Sequence, residues 1–287
     1  MNTKHWIGIG MTALALGGCG GGTGENTNND TCATGKDKGA VIVKMKFARQ
    51  MAGNVSEGFD IDGYTASRGD PKTCGHASFT SPTGAPGIDN QFSAVLPAID
   101  QQTNGALDGE LQDAINGGML LMGMQINHLD STTNDGCVDI KFVRLTGMPT
   151  VGTDKFLDPN QTFDTDKTGP MSATKGTIKD GYLNAGPFDL GIPIRILDAN
   201  FVLNVHNARI SMKLGNDNDM PGVLGGGVGV QDILDNLMKY AIGAELKKML
   251  PDLLNGIADL DLDTQSMKCR QFSVAMSFSG KNAFINP

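Results

Sequence analysis

FVLNVHNARISMKL, residues 201 to 214, reads as two strand-length alternations in succession. Phe201, Leu203 and Val205 fall on one side of an extended chain, with Val202, Asn204 and His206 on the other. Beyond Asn207-Ala208, the residues Ile210, Met212 and Leu214 alternate with Ser211 and Lys213. A period of two with one wet side is the mark of a half-buried β-strand. The same pattern recurs on either side. Ile192–Ile196 is a strand. Phe272, Val274, Met276 and Phe278 alternate with Ser273, Ala275, Ser277 and Ser279 in a half-buried final strand. Earlier, Val43–Phe47 alternates, Met119–Ile126 is a buried apolar run, and Val138–Leu145 continues as a strand. Long alternating runs joined by short turns predict antiparallel sheet. The expected fold is mainly β (α+β): an antiparallel β sandwich or curved sheet with a long amphipathic C-terminal helix.

That helix is predicted over Asp232–Leu250. Ile233, Leu234, Leu237, Met238, Ala241, Ile242, Leu246, Met249 and Leu250 make one broad apolar stripe. Asp232 and Asp235 stand early and Lys247 and Lys248 late, as the helix dipole prefers. Two shorter helices are predicted, one within Asn90–Gln102 despite Pro97, the other through Leu107, Leu111, Ala114 and Ile115, closed by Gly117-Gly118. Thr146–Thr177 is rich in Gly, Pro, Thr and Asp without periodicity, and reads as an irregular excursion. Gly222–Gly229 reads as a glycine-rich turn before the main helix, and Asn216-Asp217-Asn218-Asp219 as another turn.

The N-terminus carries a different message. Lys4 and His5 precede a ten-residue apolar run, Ile7–Leu16, followed by Leu16-Gly17-Gly18-Cys19. A charged start, a short apolar core and small residues at the cut make a secretory signal; a bilayer span needs about 20 apolar residues. The quartet resembles the lipobox of bacterial lipoproteins. That resemblance implies cleavage after residue 18, acylation of Cys19 with palmitate among the chains, and anchoring to a membrane. Gly20, where the family's inner-membrane retention signal is Asp, points to the outer membrane, with the periplasmic or surface face open. Residues 19–38 follow as a flexible tether almost free of apolar side chains, and 39–287 as a single β-rich body.

The formal net charge is −8, and no basic block interrupts it. Such a surface is a poor partner for nucleic acid or anionic headgroups, so membrane contact falls to the lipid at Cys19. Beyond Cys19 there remain Cys32, Cys74, Cys137 and Cys269. An even count in an oxidising compartment predicts two disulfides, with three connectivities open. No Cys-x-x-Cys pair supports a zinc site.

Three acidic clusters stand out: Asp60-Ile61-Asp62-Gly63, Gly87-Ile88-Asp89-Asn90-Gln91, and Asp259-Leu260-Asp261-Leu262-Asp263. Alternate acidic oxygens can converge on a hard cation, although none is a complete EF-hand loop and solvated turns explain each equally simply. The Asp-x-Asp-Gly and Asp-Asn-Gln pair resembles a group of uncharacterised secreted bacterial lipoproteins in which the two halves form one run; here Tyr64–Pro86 lies between them. Gly176-Thr177-Ile178, Gly186-Pro187, Ala208-Arg209-Ile210, Gly222–Gly226 and Ala258–Asp261 continue the likeness. It implies a lipoprotein class and a calcium-like loop holding Asp60, Asp62, Asp89 and Asn90, and no activity.

Catalytic patterns are missing. There is no His-Glu-x-x-His, no Gly-x-Ser-x-Gly and no Walker loop. Ser172-Ala173-Thr174-Lys175 spells Ser-x-x-Lys outside any predicted helix, and His76, His128 and His206 are isolated. The expectation is a non-enzymatic exterior lipoprotein, a structural or binding module with calcium as its one suggested ion and its protein or glycan partner unspecified. The competing classes are a carbohydrate- or lipid-binding lipoprotein and, less favoured, a hydrolase with paired carboxylates.

Overall fold

A computed structural model describes residues 32, 35–103, 105–196, 199–240 and 244–287. The expected signal segment, Cys19 and most of the expected tether lie outside them. In chain order the strands are β1 (Lys36–Phe47), β2 (Met122–Leu129), β3 (Asp135–Thr146), β4 (Gln161–Thr165), β5 (Met171–Lys179), β6 (Tyr182–Ile196), β7 (Ala199–Lys213), β8 (Met220–Gly229), β9 (Leu260–Asp263) and β10 (Lys268–Asn286). The helices are α1 (Phe92–Thr103), α2 (Leu107–Asn116), α3 (Val230–Leu237) and α4 (Ala244–Asn255).

Eight strands close on themselves. The ring runs β1-β2-β3-β5-β6-β7-β8-β10, every neighbour antiparallel, and β10 returns to β1 through Ala40↔Asn282 to Phe47↔Met276. The mainly β expectation therefore stands, while the sandwich or curved sheet gives way to a closed barrel. Alternation marks one dry face and fits either architecture equally. What closes the ring is the length of β10, which pairs with β8 from Gln271 to Gly280 and with β1 from Met276 to Asn282. Closure leaves neither edge unpaired. Ile126, Ile140, Leu183, Ile210, Met212 and Leu224 are buried, whereas Lys141, Lys175, Thr177, Lys179, Asn204 and Lys213 are exposed. That is the reverse of a lipid-embedded barrel, whose wall is apolar outward.

Three further expectations are corrected. The excursion over residues 146–177 contains β4 and most of β5, a full wall strand. Its inward positions, Ser172, Thr174 and Gly176, are small or polar, so no hydrophobic contrast announced it. Gly222–Gly229 is no turn but the body of β8: a Cβ on Gly226 would stand 2.5 Å from Val205 Cγ1, and one on Gly222 2.4 Å from the Phe278 ring. Large neighbours on β7 and β10 fill the space that β8 leaves. The run from Lys36 to Lys38, read as tether, already belongs to β1, where Lys36 and Lys38 face Leu129 and Ile126 of β2.

The long C-terminal helix is replaced by α3 and α4. The chain leaves the helix at Leu237 and turns through residues 238–240; Ala241 and Ile242 of the expected stripe lie outside the described residues. A straight helix over Asp232–Leu250 would run about 28 Å, setting Ile233 and Leu250 at opposite ends. Instead both line one apolar cavity of about 90 Å³, with Phe92, Leu203, Leu237 and Phe272.

The two ends of the barrel differ. Residues 130–134, 180–181 and 214–219 make short turns at one end. The long connections 48–121, 147–170 and 230–267 all leave from the other. There α2 buries Leu107, Leu111, Ala114 and Ile115 and packs against both β1 and β6, strands on opposite sides of the ring, so it lies across the barrel mouth. Phe47 N–H donates to Asp108 Oδ1 at 3.2 Å and Gln112 Nε2 to the Val43 carbonyl at 2.9 Å, fastening it to β1. Disulfides join Cys32 to Cys137 at the short-turn end and Cys74 to Cys269 at the helical end.

Candidate cation site

The chain leaving β1 stays against the barrel, with Ala48 N–H donating to the Ala275 carbonyl of β10 at 2.9 Å. It then folds into a small extended framework. Val55 bridges Thr80, Phe79 bridges Ile88, and Phe59 bridges Asp89. Of the residues between Tyr64 and Pro86, 65–78 loop out from this frame, Phe79 and Thr80 return to it, and 81–85 form a turn. Tyr64 Oη donates to Asp70 at 2.7 Å, and the Lys72 ammonium lies 4.5 Å from the Tyr64 ring centre. The interruption seen in sequence is thus an excursion whose two ends meet. It leaves Asp-x-Asp-Gly and Asp-Asn-Gln side by side.

Asp60, Asp62 and Asp89 each offer a carboxylate oxygen, and these oxygens lie within 4.8 Å of one another. Backbone donors hold the loop. Asp89 Oδ2 accepts from Ile61 N–H at 2.7 Å, and the Tyr64 N–H is shared by Asp60 at 3.1 Å and Asp62 at 2.9 Å. Gly87 is required here. Its φ of +84° is in the left-handed region, and a Cβ would stand 3.1 Å from Asp60 Oδ2, so glycine admits the carboxylate to the cluster.

A fourth acid joins them from the far end of the sequence. Asp259 accepts from Ser273 N–H and Ser273 Oγ, both at 2.7 Å, and Ser273 Oγ in turn accepts from Gln91 N–H at 2.8 Å. Asp89 and Asp259 are each only 3 % exposed. Burial pushes the Asp89 carboxyl up to about 8, with the charges of Asp62 and Asp259 adding to it against the Ile61 hydrogen bond. Burial likewise pushes Asp259 up to about 7, against its two bonds from Ser273. Asp62 is raised as well, first by burial and then by Asp60 and Asp70. Four crowded carboxylates, two of them buried, thus favour protons or a counter-cation. Calcium takes six to eight oxygen ligands, of which this cluster supplies a nucleus.

Asn90 does not share in the convergence. Its Nδ2 donates to the Ala48 carbonyl at 3.1 Å and to Ser56 Oγ at 2.8 Å, and its Oδ1 accepts from Ala275 N–H at 3.0 Å. A carboxamide engaged by two backbone groups and the Ser56 hydroxyl is a fastener between loop and barrel, so the expected ligand is corrected to a structural residue. Asn90→Ala leaves at least two buried backbone groups without partners, so we expect a loss of about 2–4 kcal/mol, read from the urea midpoint and not restored by calcium. A shift under about 0.5 kcal/mol would mean the contacts are replaceable.

The third acidic cluster divides by role. Asp259 enters the site, Asp261 pairs with Arg270 at 3.0 Å, and Asp263 accepts from Gln265 N–H at 2.8 Å in a turn. Sequence alone marks all three alike; the bonds from Ser273 to the Asp259 carboxylate and from Asp259 N–H to the Gln271 carbonyl, 3.0 Å, set the first apart. Ser172 and Lys175 lie three positions apart on β5 and so face opposite sides of the wall. His128 Nδ1 meets Asp139 at 2.8 Å and His206 Nδ1 meets Asp189 at 3.5 Å, two separated surface pairs. No protein-family model, curated protein or solved structure matches the chain.

Proposed function

We propose that the protein is an exported lipoprotein, acylated at Cys19 and held at the outer membrane, whose barrel body is a non-enzymatic binding or structural module stabilised by calcium at Asp60, Asp62 and Asp89. The observation that carries this reading is the convergence of those three carboxylates, brought from both sides of a loop of more than twenty residues into a space a few ångströms across. Solvated acidic turns have no reason to meet, or to keep a member buried. The charged outer wall and the two disulfides accord with an exterior, water-facing body.

Thermal unfolding of the full chain in calcium and in chelator tests it. Calcium at a hundredfold over its Kd adds about 2.7 kcal/mol, a rise of roughly 5–10 °C for a chain of this size. Asp62→Asn, at the exposed member of the cluster, abolishes the rise while leaving the chelator midpoint nearly unchanged. Equal midpoints in both buffers would remove calcium from the proposal.

One observation favours a second reading, the binding of an apolar ligand such as a lipid chain. The cavity of about 90 Å³ under α1, α3 and α4 is lined by apolar side chains alone. An unfilled void of that size costs about 2 kcal/mol, and it offers water no polar partners.

A further inference from the structure

A second groove, of about 510 Å³, crosses the outer wall over β3, β5, β6 and β7. Lys175, Thr177, Asn184, Gly186, Arg209 and Phe59 are among its lining residues, and the lining contains two cations and no carboxylate. In a chain of net charge −8 that is a local reversal of sign. Neither cation has an ion-pair partner among the described residues. Asp139, directly across from Lys175 in the β3–β5 pair, is engaged by His128 at 2.8 Å. The Arg209 Nε is buried and has no hydrogen-bond partner, although a guanidinium N–H withdrawn from water demands an acceptor.

The local backbone explains how Arg209 comes to stand there. The register of β7 against β8 shifts between His206 and Arg209, and that of β6 against β7 between Ala185 and Phe188. Such bulges re-aim a side chain. A Cβ on Gly186 would stand 3.1 Å from Arg209 Cγ, so the glycine leaves room for the arginine stem. Three separated runs singled out in the sequence, Gly176-Thr177, Gly186 and Arg209-Ile210, meet in this one groove.

We propose that the groove binds a phosphate group. The planar fork of Arg209 matches a tetrahedral oxyanion bidentately, with Lys175 as a point charge beside it. Two positive charges without an ion-pair partner suit the charge of about −2 on a phosphate monoester. Phe59, Ala185 and Ile210 border the remainder of the ligand. The phosphate belongs either to a soluble molecule or to a lipid headgroup. Cys137, in the same lining, is joined to Cys32.

The test uses the full chain carrying Cys19→Ser, exported so that its disulfides form. Inorganic phosphate is titrated by calorimetry, and co-sedimentation is measured with phosphatidylcholine vesicles with and without phosphatidic acid. Saturable binding of inorganic phosphate that Arg209→Gln and Lys175→Gln each weaken by about tenfold or more, with Arg209→Lys retaining part of it, supports a phosphate site. Capture only by vesicles holding phosphatidic acid, lost in the same variants, supports the headgroup source. Binding of neither probe overturns the proposal, as does binding unchanged in the variants. Should Arg209→Gln fail to fold, the exposed Lys175→Gln decides alone.

Discussion

In chelator, the protein is expected to lose stability steadily as the pH is raised from about 4 to about 8. Asp89 and Asp259 have folded-state values of about 8 and about 7, above the ordinary 3.8, and Asp62 moves the same way. A group raised on folding contributes stability that is fully present below its unfolded value and is lost as pH climbs through its folded one. Within that window the unfolded chain has released protons that the folded chain still holds. At 1.36 kcal/mol per pH unit, Asp89 alone accounts for a loss on the order of 5 kcal/mol. Because the three acids share one cluster, the measured curve belongs to the set. The exposed acids held low, such as Asp154 and Asp166, act oppositely and only below about pH 4. Urea midpoints from pH 4 to 9 read the effect. Asp89→Asn flattens the profile and makes the variant more stable than the wild type at pH 8 in chelator. Saturating calcium, which binds the ionised carboxylates, suppresses the decline. A flat wild-type profile in chelator would show that water reaches these acids freely, and would remove the electrostatic basis of the site.

The second large effect concerns Cys74–Cys269, which spans 195 residues. In the chain-entropy picture a loop that long is worth about 5 kcal/mol, and measured losses run lower. The double variant Cys74→Ser, Cys269→Ser is therefore expected to lose about 3–5 kcal/mol, read from its urea midpoint under oxidising conditions. Position adds a consequence that length does not. Cys74 lies on the excursion between the halves of the acidic site, and Cys269 begins the strand whose Ser273 holds Asp259. Opening the bond loosens both, so the calcium-induced rise in Tm shrinks as well. The Cys32–Cys137 bond closes 105 residues and lies at the other end of the barrel. Its removal lowers the midpoint yet leaves the calcium response intact. Equal calcium responses in the two variants would mean that the excursion is held without its disulfide.

How much of this was legible in the sequence depended on whether the signal was local. The alternations around Phe201–Leu214 and Phe272–Phe278 lie in β7 and β10, because burying one face imposes a period of two. Closure was not legible, since it rests on β10 meeting β1, a pairing of residues more than two hundred positions apart. β5 and β8 escaped notice because their inward or close-packed positions are glycine, serine and threonine, where the bulk is supplied by neighbours such as Val205 and Phe278. In the acidic site, Asp60, Asp62 and Asp89 could be singled out by their local pattern. Asn90 has the same chemistry on paper as a ligand, and only its three partners reveal a fastener. Asp259 looked like Asp261 and Asp263 until the fold set it beside Ser273.

The closing of the ring between its first strand and its last has a consequence for biogenesis. β1 is the first strand of the described residues and β10 the last, so the barrel cannot shut until β10 can meet β1. Contacts of such high sequence separation form slowly, after the entropy of closing a long loop has been overcome. A chain that still lacks β10 therefore remains open. Commitment to the native state waits for the arrival of β10, which also brings Cys269 to its partner Cys74.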